Sequence, residues 1–188
     1  MSTIPWTYEA RPDTRTTNVR VGMWLFLASE AMLFASLLSA YALLRTGASS
    51  WPDAGTLLDT RQALINTGLL ALATLATVWL SKRRAGGRAA LAIGAALAIG
   101  FVILKLIEYQ SKLAAGLHPS NNLLLACWFT LTGVHALHVA AGAAANLWVA
   151  AGAVPASPQT SERLYALRLY WALVDFVWLA ILVTFYVY

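Results

Sequence analysis

Cysteine is almost missing from this chain: Cys127 is the only one in 188 residues. A lone thiol cannot close an internal disulfide, and it has no partner for a thiolate metal site or a haem-attachment motif. Histidine is nearly as scarce, with three residues, too few to ligate several metal centres. Charge is the most telling shortage. Asp, Glu, Lys and Arg make up 11% of the chain and hydrophobic residues 60%, against about 25% and 45–50% in ordinary soluble domains. A polar shell cannot be built from that composition, so a water-soluble enzyme is excluded. The chain also opens without the apolar stretch and small-residue cleavage site of a signal peptide; residues 1–19 are polar and carry Arg11, Pro12, Asp13 and Arg15. A retained N-terminus is expected.

What the sequence does have is long uncharged runs. Five segments, about 21–44, 63–80, 89–109, 122–150 and 166–187, are apolar enough to cross a hydrocarbon core of about 30 Å as helices. The expectation is an all-α integral membrane bundle of five transmembrane helices: 1–20 a polar cytoplasmic segment, 21–188 one transmembrane domain. The links are turn-rich. Residues 81–88 combine Gly86 and Gly87 with Lys82, Arg83, Arg84 and Arg88; Asn121 and Asn122 can cap the fourth span; Pro155 and Pro158 mark the last link as non-helical.

The net charge of +5 reads as topology and not as affinity for nucleic acid. With the N-terminus inside, that side holds Arg11, Arg15, Arg20, Lys82, Arg83, Arg84, Arg88, Arg163 and Arg168. The other side holds Arg45, Arg61 and Lys112, and Lys105 lies within a span. This asymmetry places the N-terminus inside and the C-terminus outside. Trp24 and Trp171 are expected near one interface and Trp51, Tyr186 and Tyr188 near the other. Arg20, Lys82, Arg83, Arg84 and Arg88 fall at the inner headgroup level, where each basic residue contributes about 1 kcal/mol toward anionic lipid; they are the candidate lipid-binding residues.

Polar groups inside the spans are the candidate site residues, because each costs energy in lipid. Glu30 stands about ten residues into the first span, near mid-membrane, where a charged carboxylate costs about 2.5–3.5 kcal/mol or more. It is either satisfied at a helix interface or a proton-accessible site. Desolvation favours its neutral form, which would donate a hydrogen bond to His135 or His138 and react with a hydrophobic carbodiimide, unlike Glu9 and Glu162 in the loops. Lys105 and Glu108, three apart, share a helix face and read as an ion pair near the outer interface. His135 and His138, also three apart, bond between helices or ligate a metal; the missing third and fourth ligands favour bonding. Asp175 reaches a similar depth, so a His–Asp contact is geometrically allowed. Gly94 and Gly100 suit close helix packing.

Four motifs then come together in order: Trp24-Leu25-Phe26-Leu27-Ala28-Ser29-Glu30, Glu108-Tyr109, Gly133-Val134-His135-Ala136-Leu137-His138-Val139 with Gly142, and Tyr170-Trp171 through Val174-Asp175-Phe176-Val177-Trp178-Leu179. Together they resemble subunit III of the haem-copper oxidases, in its five-span bacterial form. Two positions depart: Ala172 stands where the family usually has His, and Lys105 where it often has Gln. The resemblance implies a cofactor-free, non-catalytic subunit in a bacterial plasma (inner) membrane. Its partners would be catalytic subunit I and subunit II of an oxidase, with the haems and copper in those partners, and phospholipids in a cleft. It would stabilise the catalytic subunit and support proton uptake, with Glu30 matching the family's buried carboxylate. Two other readings stand beside it, an accessory subunit of nitric oxide reductase and an independent proton-linked transporter.

Overall fold

A computed structural model describes residues 6–79, 87–152 and 158–187. Its elements are α1 (Asn18–Gly47), a short α2 (Ala54–Leu57), α3 (Thr60–Val78), α4 (Gly87–Ala114), α5 (Leu123–Gly152) and α6 (Pro158–Leu182), closed by a π-helical turn over Val183–Val187. Among the described residues there is no strand. Lys82, Arg83 and Arg84, three of the candidate lipid residues, lie outside the described residues, as do Pro155 and Tyr188.

The helices run past the apolar segments because their ends are capped by side chains. Thr17 accepts from the Arg20 amide to start α1, Asp59 accepts from the amides of Arg61 and Gln62 to start α3, and the Asn122 side chain accepts from the Leu125 amide at 2.8 Å. α4 ends where Gly116 takes φ +77° and the Leu117 amide donates back to the Lys112 carbonyl at 2.9 Å, a closure that needs the left-handed conformation. The last link is shorter than expected, since α6 begins at Pro158. Proline is tolerated at the first helical position, where its missing N–H would have had no partner.

Among the described residues four helices, α1, α4, α5 and the stretch Ser161–Val187, are long and apolar enough to cross a membrane. The remaining long helix, α3, falls outside that set. It carries Asn66, Thr67, Thr74 and Thr77, and turns Asn66 and Thr77 fully inward. Asn146 of α5 donates to Thr77 at 2.7 Å and Trp178 of α6 donates to Thr67 at 2.8 Å, whereas neither polar atom of the Asn66 side chain has a partner among the described residues.

Helices α3, α4, α5 and α6 pack in a ring, each against two neighbours, and α1 lies outside it along α5 and α6. Small residues set the closest approaches. A side chain at Gly94 would come within 2.5 Å of the Thr77 hydroxyl and 3.0 Å of the Ala73 carbonyl, so α4 meets α3 there. Gly100 has no such neighbour. Gly142 lets Tyr170 and Trp171 of α6 press against α5; a Cβ would lie 3.0 Å from both rings. Trp171 therefore belongs to the core and not to the interface belt, with its indole N–H donated to Asn146 at 3.1 Å.

Candidate functional site

Glu30 is on the face that α1 turns toward α5. Its Oε2 lies 2.8 Å from His138 Nε2, and the two side chains are 18% and 16% exposed, at a seam and not in the core. The other ring nitrogen decides the chemistry. His138 Nδ1 lies 2.8 Å from the Val134 carbonyl, which can only accept, so Nδ1 carries a proton. In a neutral ring Nε2 is then a bare acceptor and Glu30 must donate its O–H. If that proton moves to Nε2, the ring becomes imidazolium and Glu30 carboxylate. The contact therefore holds one proton between two atoms, in either position. Phe34, one turn from Glu30, sets its ring edge-on to the imidazole at 5.0 Å, and Tyr170 donates to the His138 carbonyl at 2.8 Å.

His135 takes no part in this pair. Fully buried, it approaches the Val174 carbonyl through Nε2 at 3.1 Å, which makes Nε2 the protonated nitrogen, and its Nδ1 has no partner among the described residues. Its ring packs on Trp178 and Phe101 at 5.2 and 5.7 Å. Three residues apart on one helix, the two histidines thus point to different neighbours, one to α6 and one to α1. Asp175 accepts from Thr74 of α3 at 3.0 Å, so its carboxylate bonds no histidine.

Lys105 and Glu108 form the expected ion pair at 2.8 Å, with side chains 0% and 2% exposed in the bundle core. The ammonium also sits over the indoles of Trp128 and Trp178, 4.9 and 5.1 Å from the ring centres. Such faces attract a cation electrostatically and replace part of its lost water. Arg20 is likewise engaged. Its guanidinium forks onto Glu162 with contacts of 2.8 to 3.2 Å, Thr17 donates to the same carboxylate at 2.9 Å, and the Arg20 plane lies over Tyr165. Glu162 is a buried residue of α6 and not a loop residue, and Arg20 bonds it while keeping 43% of its own side chain exposed. Arg88 is exposed at the start of α4.

A cavity of about 440 Å³ opens between α1, α5 and α6, lined by Met23, Phe26, Trp148, Arg163 and Tyr170 among others. Arg163 lies over the Trp148 ring at 4.6 Å, and its Nε has no partner among the described residues. Sequence reading missed Arg163 as a site residue; its place beside Trp148 across the α5–α6 link was not visible in the linear pattern. It missed Asn146 as well, the side chain that joins α3, α5 and α6.

Among the described residues no group of three or more His, Cys, Asp or Glu side chains is placed to hold a metal ion. The class these features define is a polytopic helical membrane protein with an acid–histidine hydrogen bond at a helix seam. Over residues 9–188 the chain matches the family described as Cytochrome c oxidase subunit III, and it belongs to that family. It is 29% identical over 180 residues to the Cytochrome bo(3) ubiquinol oxidase subunit 3 of Pseudomonas aeruginosa, a match covering 90% of this chain and 84% of that one. It is also 29% identical to the Cytochrome c oxidase subunit 3 of Bacillus subtilis, over 96% of this chain and 92% of that one. A third relative, the Heme-copper oxidase subunit I+III of Aeropyrum pernix, is 30% identical over 90% of this chain but only 22% of its own length.

Proposed function

We propose that this chain is the non-catalytic subunit III of a haem-copper terminal oxidase, packed against subunits I and II, which carry the haems and copper. The observation that carries the reading is the family match over residues 9–188, joined to a Glu30–His138 pair at the seam where α1 meets the bundle. The relatives named above are oxidase subunits, which supports this reading over a nitric oxide reductase subunit or an independent transporter. The pair holds one mobile proton at mid-membrane depth and suits a role in proton uptake. The cavity beside it suits a phospholipid: Met23 and Phe26 offer an apolar wall for acyl chains, and Arg163 offers a guanidinium for a phosphate. The chain would cross a bacterial inner membrane five times with its N-terminus inside, α3 turning Asn66 and Thr77 inward and Leu64, Ile65, Leu72 and Leu75 outward.

The test is purification of the tagged chain after mild solubilisation, followed by an absorption spectrum. Haem bands in the purified complex, lost when the chain is separated, are the expected outcome. A chain that purifies without any haem protein would overturn the proposal.

A further inference from the structure

Asp175 stands apart from the other acidic groups within the spans. It lies 14 residues into the stretch Ser161–Val187, about 21 Å along the helix, so it stands near the middle of the membrane. Glu108 at least has a lysine and Glu30 a histidine, whereas Asp175 has one hydrogen bond among the described residues, from Thr74. Its side chain is half-buried and reaches the bundle surface where α3 and α6 meet. Ala172, one turn earlier on the same face, is exposed and too short to shield a carboxyl group. Leu75, next to Thr74 on α3, and Leu179, one turn further along α6, are exposed, while α1 packs along α5 and α6.

A carboxyl group with a free acceptor, facing lipid at that depth, is among the costliest arrangements a membrane protein can present; such groups face protein or water instead. We infer that the α3–α6 face around Asp175 and Thr74 is a docking surface for a transmembrane helix of the haem-bearing partner subunit, one that places a hydrogen-bond donor against Asp175. The inference rests on the proposed function and extends it by naming the face. The choice of occupant follows from the missing donor, which acyl chains lack and a polar side chain supplies. The Aeropyrum pernix relative supports it too, since its name joins subunits I and III in one chain.

The test uses the assembled complex in native membranes. In a Cys127→Ser background, a photoactivatable maleimide is attached to Leu75→Cys or Leu179→Cys on the proposed face, and to Ile103→Cys on α4 or Met32→Cys on α1 as exposed controls. Cross-links to the haem-carrying subunit from positions 75 and 179, and not from 103 and 32, are expected. Lipid adducts alone from 75 and 179, or partner cross-links equal to or stronger from the controls, would overturn the inference. In parallel, Asp175→Leu should lower the haem protein retained through detergent purification by about threefold to twentyfold, the range set by one interhelical hydrogen bond, while Asp175→Asn retains it. Unchanged retention by Asp175→Leu would also overturn it, with the chain's own membrane level as the control for folding. A wild-type chain that retains no haem protein would instead overturn the function itself, so the two failures are separable.

Discussion

Two acid–base contacts of the same length, 2.8 Å, sit in different parts of this molecule. Lys105–Glu108 lies inside the four-helix ring, with both side chains sealed from the surface and two indoles over the ammonium. Glu30–His138 lies at the seam between that ring and α1, about one-sixth exposed on each side. The first contact joins an amine to a carboxylate, three residues apart on one helix. The second joins a carboxyl group and an imidazole on two helices, and the one proton of that hydrogen bond can stand on either atom. Distance alone does not distinguish a structural ion pair from a proton-sharing site; the chemistry of the partners and the access to the contact do.

The largest effect should come from breaking the core pair on one side. Lys105→Met leaves Glu108 buried with no cation, a change that costs about 3–5 kcal/mol when a buried pair loses one member. Thermal unfolding of the detergent-solubilised protein should show that loss, and Lys105→Met combined with Glu108→Leu should recover most of it. Equal destabilisation by the single and double variants would break the comparison, because the cost would then come from the lost side-chain packing and not from the uncompensated charge.

At the seam the effect should be smaller and of another kind. Glu30→Ala removes one interhelical hydrogen bond, worth about 0.6–1.7 kcal/mol in membrane proteins. Glu30→Gln should restore it, since the amide N–H donates to His138 Nε2 as the acid did. Labelling separates the two contacts further. A hydrophobic carbodiimide modifies the neutral acid, so Glu30 should be labelled in native membranes while Glu108, held as a carboxylate by Lys105, is not. His138→Phe should leave Glu30 labelled and lower the sustained turnover of the assembled oxidase; mass spectrometry of the labelled peptides and oxygen-consumption traces provide the readouts. Labelling of both acids to the same extent would erase the proposed distinction.

The difference between these contacts also explains how much could be read from the sequence. Apolar runs mark helices well, because about 20 uncharged residues in a row have few other uses. Lys105 and Glu108 could be paired on paper because three residues along a helix is a local distance. Glu30 and His138 are 108 residues apart, and their pairing depends on how α1 lies on α5, which no local pattern encodes. The sequence narrowed the partner to two histidines, and packing selects the one a turn from Gly142, where Tyr170 can reach the backbone. Asp175 was read toward histidine and bonds Thr74, since α6 turns the backbone carbonyl of Val174, and not the Asp175 side chain, toward His135. Helix α3 was legible as an apolar run, but that Asn66 and Thr77 are the polar residues it turns inward depends on how it lies against α4 and α5.

The smallest expected effect belongs to a third ionic contact, which tests whether burial of one partner is enough. Glu162 has a nearly covered side chain, but Arg20 keeps 43% of its side chain exposed, so solvent screens the attraction and the pair resembles a surface salt bridge in worth. Its position matters more than its energy. Arg20 and Thr17 at the start of α1 both bond Glu162 at the start of α6, so they pin the end of the outlying helix beside the cavity. Arg20→Gln should lower thermal stability by no more than about 1 kcal/mol. It should nevertheless loosen the cavity mouth, read as faster loss of co-purified phospholipid during detergent washing than in the wild-type protein. A stability loss as large as that of Lys105→Met would place the pair with the core contacts. Unchanged lipid retention would show that the cavity is held by α5 and α6 without help from α1.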